Sequence, residues 1–170
     1  MNRPISELLT SVVVATLEKL AFLFALPQEE NLHEEAAEPL ETVEVSFSGS
    51  FSGRMHLGLS APVMAELAGN MLGAEDGAVL AIEEQHDALK ELANVICGNL
   101  LPAIGGREAE FSIGTPRILG AGLASPLSPG AVESRLIVES GICRAGIELA
   151  GGCGAAPEGF SARDLKGRMG

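Results

Sequence analysis

The chain has 170 residues, 46% hydrophobic and 20% charged, with 21 Gly, 9 Pro and neither Trp nor Tyr, which fits one compact domain and excludes wholesale disorder. Eleven Lys and Arg against 23 Asp and Glu leave a net charge of −12, a field that repels phosphate backbones and anionic headgroups, so neither nucleic acid nor a membrane surface is an expected partner. Three cysteines, at 97, 143 and 153, lack a CxxC pattern, and the histidines at 33, 56 and 86 are scattered; they point to no disulfide framework and no metal site, and to a cytoplasmic protein.

Between Ile5 and Leu26 the residues Leu9, Val13, Leu17, Leu20 and Phe24 recur at spacings of three and four, with Pro4 in front and Pro27 behind. That spacing predicts a helix over 5–26. Glu18 and Lys19 in its middle argue against a membrane span or a signal segment. Residues 28–41, with Glu29, Glu30, Glu34, Glu35, Glu38 and Glu41, read as an exposed acidic loop that adds little to the fold. Two β-like runs, 42–47 and 51–60, flank Ser48, Gly49 and Ser50 and predict a hairpin. Helical spacing returns over 61–72, with Gly73 placed as a C-cap, and again over about 80–104, ended by Gly105 and Gly106. Runs 109–119, 131–139 and 141–150 read as strands, the last two joined tightly at Ser140 and Gly141. Residues 1–150 are thus expected to form a single domain, and 151–170 to be a flexible Gly-rich tail. The expected class is α+β: a largely antiparallel sheet packed by two long, pseudo-symmetric helices plus a short one. Glu18 and Glu91 occupy matching places in the two long helices, 73 residues apart (91 minus 18).

The informative stretch is Asp87-Ala-Leu-Lys-Glu91-Leu-Ala-Asn94-Val-Ile-Cys-Gly98. At about 100° per residue from Asp87, Glu91 falls near 40°, Asn94 near 340° and Gly98 near 20°, so the four share one narrow face. Leu89, Leu92, Ile96, Leu100 and Ala103 fall opposite, as the buried stripe. The outward face holds an odd mixture, because Asn costs several tenths of a kcal/mol and Gly about 1 kcal/mol relative to Ala in a helix. Two readings stand on geometry alone. Asn94 and Glu91 are simply solvated and Gly98 is incidental, or Gly98 clears the space beside Asn94 for another molecule.

These residues resemble a known family. Asp87-x3-Glu91-x2-Asn94, followed by Pro116, is similar to the signature of the CheC, CheX and FliY phosphatases of bacterial chemotaxis and two-component signalling, which act on the phosphorylated response regulator CheY. The similarity extends to Phe51-Ser-Gly-Arg-Met-His-Leu-Gly-Leu-Ser60 and, more loosely, from Ile5 to Ala150. Moving the motif back 73 positions lands on Val14, Glu18, Ala21 and Ala25: the first helix keeps the acid and has Ala in place of the amide. One active face therefore remains, which resembles CheX more than CheC, and 170 residues leave no room for the switch domains of FliY.

The resemblance implies a hydrolase without a cofactor of its own. The aspartyl phosphate, a lysine and Mg²⁺ belong to the phosphorylated CheY-like partner, and this chain inserts Asn94 to fix an attacking water, with Glu91 pairing the partner's lysine and Asp87 and Gly98 contacting the partner. An amide suits that role, because it has a donor and an acceptor and no charge to repel phosphoryl oxygens. A homodimer is also implied, through paired or exchanged strands at 131–139 and 141–150. The rival function is a non-catalytic adapter that docks a receiver domain or flagellar-switch component through Glu91 alone. Other sites are poorer: His86 points about 100° away from Asp87 on a helix and has no nucleophile beside it, and Gly151-Gly-Cys153-Gly lacks the strand and helix of a phosphate loop.

Overall fold

The computed structural model of the protein describes residues 3–28, 38–122 and 127–150. Their elements are, in chain order, α1 (Ile5–Ala21), β1 (Ala25–Pro27), β2 (Leu40–Gly49), β3 (Gly53–Ser60), α2 (Ala61–Leu72), α3 (Ile82–Gly105), β4 (Phe111–Ile113), β5 (Arg117–Gly122), β6 (Val132–Val138) and β7 (Gly141–Leu149). All seven strands join one antiparallel sheet in the order β1-β6-β7-β3-β2, with β4 and β5 both pairing β2 along its outer edge. This order has an internal two-fold logic. Each half contributes a long helix, short strand segments and a hairpin; the short strands of each half pair with the hairpin of the other, and β7 meets β3 at the centre.

Alternation within the strands sets the layers. Val43, Val45 and Phe47 of β2, Met55, Leu57 and Leu59 of β3, and Cys143, Ala145 and Ile147 of β7 face the helices and share one core with Leu9, Val13 and Leu17 of α1, Leu67 of α2, and Leu89, Leu92, Ile96 and Leu100 of α3. At the β2–β3 turn Phe51 is buried, edge-on to Phe47 at 6.0 Å and to Phe111 at 4.7 Å between ring centroids. Gly49 permits this turn. It has φ 136°, and a Cβ there would lie 2.1 Å from the Glu110 carbonyl.

Several boundaries differ from those read in the sequence. Helix α1 stops at Ala21, where Phe22 turns left-handed at φ 54° and its N–H donates to the Glu18 carbonyl. The residues that follow alternate in burial, with Leu23 and Ala25 inside and Phe22, Phe24 and Leu26 outside, and 25–27 form an edge strand on β6. Phe24 is therefore not part of the helical stripe. The acidic loop predicted over 28–41 ends before Leu40, where β2 begins; 29–37 lie outside the described residues, as does the tail 151–170. The single strand expected over 109–119 is two short strands, because Gly114 and Pro116 interrupt the pairing. Strand β7 has β3 on one side over Cys143–Leu149 and β6 on the other over Gly141–Ile147, so its middle residues are paired on both sides within the chain.

Candidate functional site

Helix α3 begins with Glu83 and Glu84 in its first turn, favourable near the positive end of the helix dipole. The Glu84 carboxylate accepts from the Ala81 N–H at 3.0 Å, and the Gln85 amide donates to the Leu80 carbonyl at 3.1 Å. One turn on, His86 Nε2 lies 2.9 Å from Glu41 of β2, so this histidine ties α3 to the sheet. The buried side then follows through Ala88, Leu89, Leu92, Ala93, Ile96, Cys97, Leu100, Leu101 and Ile104. Ala103, predicted in that stripe, is exposed at the fraying last turn.

Asp87, Glu91, Asn94 and Gly98 are all exposed on the face turned from the core, as the helical spacing requires. A Cβ built on Gly98 meets nothing within 4 Å, so packing inside this chain does not demand glycine there. Pro102 follows four residues later and has no N–H to give the Gly98 carbonyl. The ridge therefore ends in bare backbone beside Asn94, a shape that admits close approach from outside.

Beyond the ridge, Asn94 and the residues Ile113, Gly114, Thr115 and Pro116 line one open depression. Pairing of β4 and β5 with β2 brings their connecting loop there: Phe47 faces Ile113 and Glu44 faces Arg117 across the strands. Pro116, 22 residues from Asn94 (116 minus 94), is thereby its neighbour in space. Sequence reasoning missed Thr115. Its adjacency to Pro116 was visible, but its position opposite Asn94 depends on long-range pairing.

The opposite face of the sheet carries an ionic network that the sequence did not disclose. Glu44 Oε1 accepts from Arg117 Nη2 at 2.8 Å, and its Oε2 accepts from His56 Nε2 at 2.7 Å and Arg54 Nη1 at 3.3 Å. Arg54 also pairs with Glu148 of β7. Burial alone would raise the Glu44 carboxyl, but hydrogen bonds from His56 and Arg117, together with their charge, outweigh it and hold the group below its usual range. Glu148 is likewise lowered, chiefly by a hydrogen bond from Ser128 and by Arg54. Burial pushes the thiols of Cys97 and Cys143 up to about 12, leaving them unreactive small apolar groups. Among the described residues, no cluster of three or more His, Cys, Asp or Glu is placed to hold a metal ion, and no helix is long and apolar enough to cross a membrane.

On α1 the counterpart of Glu91, Glu18, is exposed, whereas Ala21, the counterpart of Asn94, is fully buried as the helix ends. Even an amide at position 21 would point into the core. The α1 half therefore lacks a second face of this kind.

Comparison with known proteins bears on this site. The family model described as "Chemotaxis phosphatase CheX" matches residues 42–132, which include the ridge and the 113–116 loop. No curated protein matches the chain in sequence. Among solved structures, a chemotaxis protein CheX from Desulfovibrio desulfuricans superposes with a TM-score of 0.69 at 17% identity, over 85% of this chain and 98% of that one. A CheC-like superfamily protein from a Shewanella species gives 0.67 at 18% identity, over 89% and 100%. A chain of the CheX-CheY-BeF3-Mg²⁺ complex of Borrelia burgdorferi gives 0.64 at 16% identity, over 84% and 96%.

Proposed function

The chain belongs to the CheX family of chemotaxis phosphatases, and from that membership we propose that it hydrolyses the aspartyl phosphate of a CheY-type response regulator, with Asn94 orienting the attacking water. The observation that supports this most directly is one exposed ridge on which Glu91 precedes Asn94 by a turn, with Gly98 bare beside it and the Pro116 loop opposite.

In this reading Glu91 pairs with a lysine of the receiver and sets the ridge over its phosphorylated aspartate, while Asp87 and Gly98 meet the surrounding surface. The receiver brings Mg²⁺, which neutralises phosphoryl charge. Asn94 accepts a hydrogen bond from a water molecule and holds it in line with the phosphorus. The water oxygen bonds to phosphorus as the bond to the aspartate oxygen breaks, the carboxylate leaves with the electron pair, and both water protons stay with the inorganic phosphate or solvent. An amide takes no proton in this scheme. Its contribution is orientation, the main service a protein can render to a phosphoryl transfer with a loose transition state.

The test uses a tenfold excess of radiolabelled, phosphorylated receiver over this protein. The proposal expects release of several equivalents of phosphate per chain, faster than spontaneous decay. Tight binding of the beryllofluoride-activated receiver with decay no faster than spontaneous overturns it in favour of the adapter.

A further inference from the structure

The loop opposite Asn94 is fixed at both ends. On one side Ile113 is in register with Phe47, and the Gly114 N–H donates to the Ser46 carbonyl at 2.7 Å. A Cβ at Gly114 would stand only 3.2 Å from that same oxygen, so the backbone lies tight on β2. On the other side Pro116 restricts its own φ and the conformation of the residue before it. Arg117 then pairs in register with Glu44 and bonds its carboxylate. That carboxylate is buried and held in turn by His56 and Arg54, so the largely exposed Arg117 side chain bonds to a fixed acceptor.

Between these fixed points Thr115 is exposed, and with Asn94 it lines the depression. We propose that Thr115 is a second contact group of this site, its hydroxyl hydrogen-bonding the phosphorylated receiver beside Asn94, and that the Arg117–Glu44 pair is the positioning device that holds it there. The inference rests on the reading of Asn94 given above. A hydroxyl suits the place because it is uncharged and can donate to a phosphoryl oxygen while accepting from water. The ionic network on the far face of the sheet thereby acquires a purpose, which is to keep the loop between β4 and β5 at a constant distance from α3.

Thr115→Val keeps the shape and removes the hydroxyl, Thr115→Ser restores it, and Arg117→Ala removes the anchor. Each is compared with wild type for kcat and KM on phosphorylated receiver, and for affinity toward beryllofluoride-activated and unactivated receiver. Thr115→Val should lose about tenfold or more in kcat/KM, the size of one hydrogen bond to a charged group. Its preference for activated over unactivated receiver should shrink by a similar factor, with its melting temperature unchanged. Thr115→Ser should stay within about threefold of wild type, and the Thr115→Val/Arg117→Ala double variant should be little worse than Thr115→Val alone, as coupled residues require. Valine performing like wild type in both arms, or serine failing as badly as valine, overturns the proposal. A wild type that does not accelerate decay is instead a failure of the phosphatase reading, and the affinity arm still decides the role of Thr115.

Discussion

Glu44 stands in a strand whose neighbours Val43 and Val45 are fully buried, and it is itself mostly covered, yet it keeps its charge because two arginines and a histidine surround it. A carboxyl held below its usual value of 4.5 contributes stability that is fully present above about that value and is lost as pH falls through the lower, folded-state value. Chemical denaturation measured from pH 7 downward should therefore show a steeper loss below about pH 4.5 in wild type than in Glu44→Gln, which has no such proton to take up. Equal slopes would mean that the network does not stabilise the ionised form. The network as a whole was not legible in the sequence, because the partners of Glu44 and Arg54 lie 10, 12, 73 and 94 residues away along the chain. Asn94 and Gly98 were legible. Their exposure follows from the helical period alone, measured against a stripe of leucines within a dozen residues.

At the scale of elements, the end of α1 shows where periodicity stops being informative. The run Phe22-Leu23-Phe24-Ala25-Leu26 is continuously apolar, so it satisfies a helical and an alternating pattern equally well. The left-handed Phe22 decides for the second, and Pro27 suits an edge strand. Phe22 is 71% exposed, so its ring contributes little burial to offset a conformation that costs a non-glycine residue about 1–2 kcal/mol. Phe22→Gly should raise stability by about 1 kcal/mol in a denaturant titration; a loss of that size would mean that contacts of the ring outweigh the backbone cost. The helix 61–72 ends where expected because Gly73 takes the left-handed cap. The split of 109–119 was hidden because both halves pair with the same neighbour, β2, on either side of the Gly114–Pro116 interruption.

At the scale of the whole molecule, among the described residues one sheet carries helices α1, α2 and α3 on one face, and α3 turns its unburied side outward along the β2 edge. Chain order and pairing then bring the 113–116 loop to Asn94, a meeting that no local pattern encodes. The α+β class and the ridge could be read from the sequence because they follow from local periods; the depression could not, because it forms only when β4 and β5 add to β2. If this depression does chemistry and not docking alone, the decay of radiolabelled, phosphorylated receiver must respond to Asn94→Ala. An exposed side chain can be removed with a stability change within about 1 kcal/mol, so the variant should melt with wild type and still bind beryllofluoride-activated receiver through Glu91. Its acceleration of decay should fall by two orders of magnitude or more, since orientation is most of what the amide supplies. An Asn94→Ala protein that dephosphorylates the receiver as fast as wild type would remove the amide from the chemistry and leave the ridge a docking surface.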